Sequence, residues 1–143
     1  MKKSLLLLLV VLALFSCNDD TTDGQLTFFL QPVFNGQEVL PNEVIQTQDG
    51  RNFSMHELRV YITDIFLTTT DNQKVRANTL DLIDWPRVTS INAVVPNNQY
   101  KSIEFNVGLD SVTNSLNPID FEESHPLSAD QEMHWGMIKY RFL

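Results

Sequence analysis

The segment at residues 125–142, HPLSADQEMHWGMIKYRF, contains most of the side chains in this sequence that could do chemistry. His125 and His134 lie in it, in a chain with only three histidines, together with Trp135 and two methionines. Neutral imidazole binds copper, zinc and nickel, while a thioether favours Cu(I). These residue types indicate either a metal site or part of a packed strand, and their spacing alone leaves both open.

The structural interpretation competes with metal binding at each of these residues. If the chain is extended here, Met133, Trp135 and Met137 share one face of a strand and His134 lies on the other. One of those faces has to be core, so core packing also explains the thioethers and the indole. His125 precedes a proline and is equally well explained as an exposed loop histidine.

Motifs of the common enzyme classes are absent from the sequence. There is no glycine-rich phosphate loop, no Gly-x-Ser-x-Gly elbow, no His-Glu-x-x-His and no pair of cysteines spaced for zinc. The remaining histidine, His56, is better explained as a surface histidine. The paired carboxylates Asp81 and Asp84 are better explained by solvation at a turn or a sheet edge than as a catalytic acid and base. We therefore expect a binding protein and no enzyme.

The N-terminal segment predicts export and lipid anchoring. Two lysines precede an apolar run that extends to Phe15, which is typical of a signal peptide and too short to span a bilayer comfortably. Residues 14–17, Leu-Phe-Ser-Cys, resemble a lipobox, so we expect residues 1–16 to be removed and Cys17 to be lipidated. The alternative is an ordinary signal peptide cut nearby, which leaves Cys17 free.

Lipidation of Cys17 would constrain both the fold and the location. Cys17 is the only cysteine, so no thiol would remain for a disulfide, a metal or catalysis. Two or more acyl chains anchor a protein stably to a membrane. Residues 17–25 predict an acidic, solvated tether, and acidic residues just after a lipidated cysteine resemble the surface-export signal of some Gram-negative lipoproteins. We expect a protein of the Gram-negative cell envelope, at the outer membrane, on its periplasmic or surface face.

The charge of the chain excludes one class of partner. The formal net charge is −8 over 143 residues, and loss of the two lysines of the signal peptide makes it more negative. An acidic surface repels phosphate backbones, so we expect no nucleic-acid partner. Most of the carboxylates are explained by solubility, with a mild attraction for cations.

Hydrophobic alternation predicts one all-β domain over residues 26–143. Residues 58–67 and 103–107 alternate apolar and polar side chains, as a half-buried strand does. The phase slips at Asp64-Ile65, which predicts a β-bulge. Turn signals such as Asn35-Gly36 recur roughly every ten residues, which favours an antiparallel sandwich of the Ig-like or Greek-key type. Further short strands are predicted at residues 26–30, 44–45, 80–82 and 94–95, with a break at Trp85-Pro86.

The last predicted strand alternates Ile138, Tyr140 and Phe142 and runs to the end of the sequence without a turn or a polar tail. Either this strand is C-terminal by design, or the sequence is a fragment of a longer protein and the sandwich is incomplete. We favour the second interpretation.

Several segments together resemble the MbnP-like family of secreted copper-binding proteins. Their order and spacing, rather than any one motif, make the match specific. The similar segments are residues 58–67 (LRVYITDIFL), 100–110 (YKSIEFNVGLD) with Asn114 following, 126–127 and 133–135 (PL and MHW), and 139–143 (KYRFL).

The resemblance implies an all-β sandwich that binds copper through histidines. In some members a kynurenine takes part, made from tryptophan by a di-haem, peroxidase-like partner. By position, Trp135 is the candidate for this oxidation, and His125 and His134 are the candidate ligands. Ser115 and Met137 stand where members often have a histidine and a second tryptophan, and the family continues with a further histidine-bearing strand.

The favoured function is therefore copper capture or handling by a lipid-anchored envelope protein. Two alternatives remain open. One is a glycan-binding or adhesion sandwich with no metal, in which Trp85 and Trp135 would be stacking platforms. The other is a scaffold or assembly lipoprotein with no small ligand.

Overall fold

The computed structural model describes residues 23–141. Cys17, the predicted signal peptide, most of the tether and Phe142 lie outside this range. Among the described residues, no helix has the length and apolar character needed to cross a bilayer. The strands are β1 (Gly24–Phe29), β2 (Val33–Phe34), β3 (Gln37–Glu38), β4 (Ile45–Gln46), β5 (Asn52–Phe53), β6 (Leu58–Thr69), β7 (Lys74–Trp85), β8 (Ser90–Val95) and β9 (Tyr100–Val107). Short 3₁₀ helices span Thr113–Ser115, Pro118–Asp120, Ala129–Gln131 and Gly136–Ile138.

The strands pair antiparallel in two main sheets. The central sheet has the order β7-β6-β9, and β1 pairs with β8 in the second sheet. Two small hairpins, β2–β3 and β4–β5, flank them. In the first hairpin Asn35 and Gly36 both have positive φ, as a type I′ two-residue turn requires. The predicted all-β, antiparallel sandwich is confirmed.

The first hydrophobic core lies between the two sheets. Ile62 of β6, Trp85 of β7 and Ile91 of β8 are at most 3% exposed within it. Phe28 of β1 packs edge-to-face on Phe105 of β9, with ring centroids 5.0 Å apart. Because Trp85 is enclosed in this core, it cannot be an exposed stacking platform, and that part of the glycan-binding alternative is wrong.

The second core covers the opposite face of the central sheet. Tyr61 of β6 and Leu82 of β7 pack there against three buried residues of the C-terminal segment, Leu127, Met133 and Tyr140. β6 is therefore buried on both faces. This explains why apolar residues occupy consecutive positions in a strand of an otherwise alternating sheet.

The predicted β-bulge is confirmed at Asp64. This residue has φ +52, and the register of β6 against β9 shifts between Thr63 and Phe66. The extra residue resets the alternation, so that Ile62 and Ile65 both point into the first core and are 1% exposed. Without it, Ile65 would face the opposite side of the sheet.

β7 is longer than the sequence predicted. Short strands were expected around residues 80–82, whereas the strand covers 12 residues. Its first half is poor in apolar residues, but Lys74 and Arg76 lie over the Phe66 ring, at 4.6 and 4.9 Å from its centroid. Pairing with the buried β6, and not the hydrophobicity of β7 itself, therefore fixes this half of the strand.

Candidate metal and tryptophan site

Residues 133–141 form a narrow turn, called here the 133–141 turn, in which the chain folds back on itself. The backbone N–H of Trp135 donates to the carbonyl oxygen of Lys139 at 2.7 Å, and that of Arg141 donates to Met133 at 2.8 Å. These bonds hold the two arms of the turn together. The candidate ligand and the candidate indole consequently lie on a closed loop.

The strand predicted over residues 138–142 is wrong for its described part. Gly136 to Ile138 form a 3₁₀ helix, and Gly136 and Lys139 have φ of +46° and +58°, values that strands do not adopt. Tyr140 is left in an isolated bridge with His134. The backbone bonds inside the turn replace the pairing with a sheet that the alternation of Ile138 and Tyr140 had indicated.

The turn also separates three side chains that were expected to share a face. Met133 is 2% exposed, Trp135 is 53% exposed and Met137 is fully exposed. The expectation of a shared face is wrong because the chain bends at Gly136 instead of continuing extended. Core packing therefore explains Met133 alone, and the indole is accessible.

His134 is partly buried and has its ring nitrogens available. Its ring meets the Tyr140 ring edge-to-face, with centroids 4.9 Å apart. Within residues 23–141 no hydrogen bond engages either ring nitrogen. A neutral imidazole in this state can bind a metal ion through either nitrogen.

His125 is arranged differently. Its ring stacks on Phe121 at 4.3 Å between centroids, and its Nδ1 accepts a hydrogen bond of 3.1 Å from the backbone N–H of Leu127. A backbone N–H only donates, so Nδ1 is unprotonated and the neutral ring has its proton on Nε2. Binding of a metal by His125 requires loss of that proton or of the Leu127 hydrogen bond.

Tyr140 joins the two segments that contain these histidines. Its ring contacts His134, and its hydroxyl donates to the carbonyl oxygen of Leu127 at 2.7 Å, two residues after His125. Its backbone N–H donates to the side-chain oxygen of Asn114 at 3.0 Å. The structure thus connects both segments through one buried side chain, although no direct contact between the two imidazoles is found in the described range.

Tyr61 supports the same region from the central sheet. Its hydroxyl donates to the carbonyl oxygen of Pro126 at 3.1 Å. Burial raises the pKa of both Tyr61 and Tyr140, so both phenols remain neutral donors at physiological pH. Sequence reasoning assigned no role to Tyr61, Tyr140 or Asn114. The available signal was the position of the tyrosines in apolar alternation, which indicates burial but not the carbonyl groups that they bind.

Arg141 covers part of the Trp135 indole. The central carbon of its guanidinium lies 3.8 Å from the ring centroid, which is a cation–π contact. One guanidinium nitrogen donates to the carbonyl oxygen of Glu132 at 3.1 Å and fixes the group in place. Since Trp135 remains 53% exposed, an external oxidant can still reach it.

Comparison with known proteins identifies the family. The sequence profile of the MbnP family matches residues 23–143. The chain belongs to the MbnP family. This confirms the resemblance drawn from the sequence and associates the chain with a copper-related family. No curated protein and no solved structure matches it.

The part of this MbnP chain that the structure describes could supply only some of the ligands that a metal ion needs. No group of three or more His, Cys, Asp or Glu side chains that could hold a metal ion occurs within it. His134 fits such a role, since no group among residues 23–141 forms a hydrogen bond with its ring nitrogens. His125 fits only after rearrangement, and the Met133 thioether is enclosed in the second core.

The cleft beside His125 offers this MbnP chain no better ligand set. It has a volume of about 280 Å³, and Asp110 and Leu80 line it together with His125. Hydrogen bonds from Thr113 lower the pKa of Asp110, with a further bond from the backbone N–H of Val112. Its carboxylate oxygens therefore already accept hydrogen bonds within the turn that precedes the 3₁₀ helix Thr113–Ser115.

Proposed function

We propose that this MbnP protein binds copper through histidine at the cell envelope, for copper capture or handling and without catalysis. The observation that supports this most directly is the 133–141 turn. It presents an exposed indole next to a histidine whose ring nitrogens accept or donate no hydrogen bond within the described part of the chain. Anchoring through a lipidated Cys17 in the outer membrane of a Gram-negative cell belongs to the same proposal.

Oxidation of Trp135 would extend the ligand set at the turn. A di-haem, peroxidase-like protein is the proposed partner for this step, and the exposure of Trp135 supports its access. With hydrogen peroxide as the oxidant, the indole C2–C3 bond would be cleaved to N-formylkynurenine and water would be released. Hydrolysis would then remove the C2 carbon as formate and leave kynurenine, with an aromatic amine and a ketone beside His134. Nitrogen and oxygen donors of this kind suit a copper ion that an imidazole also binds.

His125 is the proposed second ligand. It would exchange its hydrogen bond with Leu127 for the metal, and Tyr140 would keep its segment next to that of His134. The loss of one backbone hydrogen bond is a modest cost compared with formation of a metal–imidazole bond. We therefore expect His125 to contribute less to copper affinity than His134.

Copper titration of histidine variants tests the proposal. Isothermal titration is carried out on the full-length chain in detergent, as wild type, His134→Ala, His125→Ala and His56→Ala. His56 is an exposed histidine that contacts the side chain of Asn42 and serves as the matched control. We expect His134→Ala to weaken binding at least tenfold, about 1.4 kcal/mol, and His56→Ala to leave it unchanged. Equal affinity of wild type and His134→Ala would remove His134 from the site.

A further inference from the structure

A small pocket at the edge of the second core is lined by two arginines. Its volume is about 120 Å³, and its walls include Arg59 of β6, Arg141 of the 133–141 turn, Glu57, Leu58 and Met133. The protein as a whole is acidic, with a formal net charge of −8. Two guanidinium groups around one pocket therefore contrast with the rest of its surface.

Arg59 is mostly buried and poorly satisfied. Its side chain is 16% exposed, and its Nε is buried without a hydrogen-bond partner in the described part of the chain. This Nε lies 3.6 Å from a carboxylate oxygen of Asp84, an ion pair too long for a good hydrogen bond. Asp84 instead accepts two hydrogen bonds from Arg87, of 3.0 and 2.9 Å.

Arg141, which also lines the pocket, has a similarly buried nitrogen. Its Nε is also buried and has no partner among residues 23–141, while another nitrogen of the group donates to Glu132. Buried N–H groups without a partner are rare and costly in folded proteins. Since both Nε atoms are buried, an acceptor that enters the pocket would have to approach the outer nitrogens of these two guanidinium groups.

We propose that this pocket binds a small carboxylate. Two carboxylate oxygens can accept from the guanidinium groups of Arg59 and Arg141, a pairing that favours planar anions. The side chains of Leu58 and Met133 provide apolar wall for the short alkyl part of such an acid. A volume of about 120 Å³ admits acetate or formate and excludes large acids.

The charges around the pocket are compatible with an added anion. Glu57 lies at its rim but is paired with Arg87 at 3.2 Å, and Asp84 is shared between Arg59 and Arg87. Three arginines thus face two carboxylates before the ligand binds. None of its lining residues is a proposed copper ligand, but Arg141 also contacts the Trp135 indole, so the pocket is tested on metal-free protein.

Trp135 gives a direct readout of occupation. The Arg141 guanidinium lies over its indole, so an anion that draws on this group changes the emission of Trp135. Trp85 is 3% exposed in the first core and provides a constant background. Acetate is titrated into the metal-free, full-length chain at constant ionic strength, with chloride as the compensating anion.

We expect a saturable change in emission and a rise in Tm with acetate. Arg59→Gln should weaken acetate binding at least tenfold, whereas Arg51→Gln, at an arginine with an 81% exposed side chain paired with Asp49, should not. Trp135→Phe should abolish the emission change but keep the rise in Tm.

An N-acetylated tripeptide with a free carboxyl terminus is the second probe. Binding of acetate alone identifies a free acid, and binding of the tripeptide alone identifies a chain terminus.

Absence of a saturable response to either probe in the wild type would overturn the proposal, because the pocket would then hold only water. Equal acetate affinity in wild type and Arg59→Gln would also overturn the proposal. If Arg59→Gln does not fold, Arg59→Lys replaces it, since lysine keeps the charge but lacks the planar fork. Unchanged acetate affinity in Arg59→Lys would likewise overturn the proposal.

Discussion

Tyr140 and Leu127 are joined by a buried hydrogen bond of 2.7 Å between the phenol and a backbone carbonyl. The bond connects the 133–141 turn to the segment that follows His125. The Tyr140 ring also contacts the His134 ring, so one side chain links the segments of both candidate ligands. The relative position of the histidines therefore depends on the hydroxyl of one tyrosine.

Removal of this hydroxyl should lower stability measurably. Tyr140→Phe leaves the Leu127 carbonyl buried without its partner, and we expect a loss of about 1–2 kcal/mol in the free energy of unfolding. Urea denaturation followed by circular dichroism measures it. Tyr100→Phe is the matched control, because the Tyr100 hydroxyl also donates to a carbonyl, that of Pro96, but at an exposed position. Equal losses in the two variants would show that the buried Tyr140 hydrogen bond stabilises the protein no more than the exposed Tyr100 bond does.

The two tryptophans should differ sharply in reactivity. Trp135 is 53% exposed and Trp85 is 3% exposed, so a limiting dose of hydrogen peroxide with a haem catalyst should oxidise Trp135 first. Peptide mass spectrometry of the treated protein measures the ratio. Treatment in urea is the control, where the preference should disappear. Preferential oxidation of Trp85 in the folded protein would contradict the packing described for both residues.

The bulge residue should tolerate glycine better than a β-branched residue. Asp64 has φ +52, a conformation that costs most L-residues about 1–2 kcal/mol. We expect Asp64→Val to lower the free energy of unfolding by about this amount relative to Asp64→Gly. Both variants lose the distant ion pair with Arg76, so the comparison isolates the backbone. Equal stability of the two in urea would argue against a left-handed residue at this position.

The ionised carboxylate of Asp81 should lower the free energy of unfolding at neutral pH. Burial raises the pKa of its carboxyl above 3.8, although Leu82 and Asn78 donate hydrogen bonds to it. The folded state thus holds this proton to a higher pH than the unfolded state does. The stabilisation that comes from binding this proton is complete below the pKa of the unfolded state. It is lost as the pH rises through the pKa of the folded state.

Asp81→Asn should therefore have a higher Tm than wild type at neutral pH, and the gap should close as the pH falls below about 3.8. Thermal unfolding of both proteins across the acid range measures this. Asp23→Asn, at an exposed carboxylate, is the control and should show no comparable gap. A Tm difference that widens as the pH falls would mean that folding lowers the pKa of Asp81 instead of raising it.

The sequence was most informative where local chemistry alone determines the backbone. The turn at Asn35-Gly36 follows from residues that accept positive φ, and the bulge at Asp64 follows from a visible slip in the alternation. Both features need no knowledge of distant contacts. The second core is also indicated by the sequence, because Tyr61 and Ile62 are consecutive in one strand and both are buried.

The sequence was least informative where contacts between distant segments decide the outcome. The strand predicted over residues 138–142 failed because Trp135 and Lys139 bond to each other and not to a neighbouring strand. Lys139 has no residue-type signal for its positive φ. The adjacency of His134 and Trp135 was evident from the sequence, whereas the bond between His125 and Leu127, which decides the tautomer, was not.

The position of β6 has a consequence for how the protein melts. Consecutive residues of this strand, Tyr61 and Ile62, belong to different hydrophobic clusters on its two faces. Neither cluster can be exposed to solvent without disturbing a strand that the other needs. The layer that contains the histidines is therefore thermodynamically coupled to the sheet pair beneath it, and the described region should lose its order in one cooperative transition.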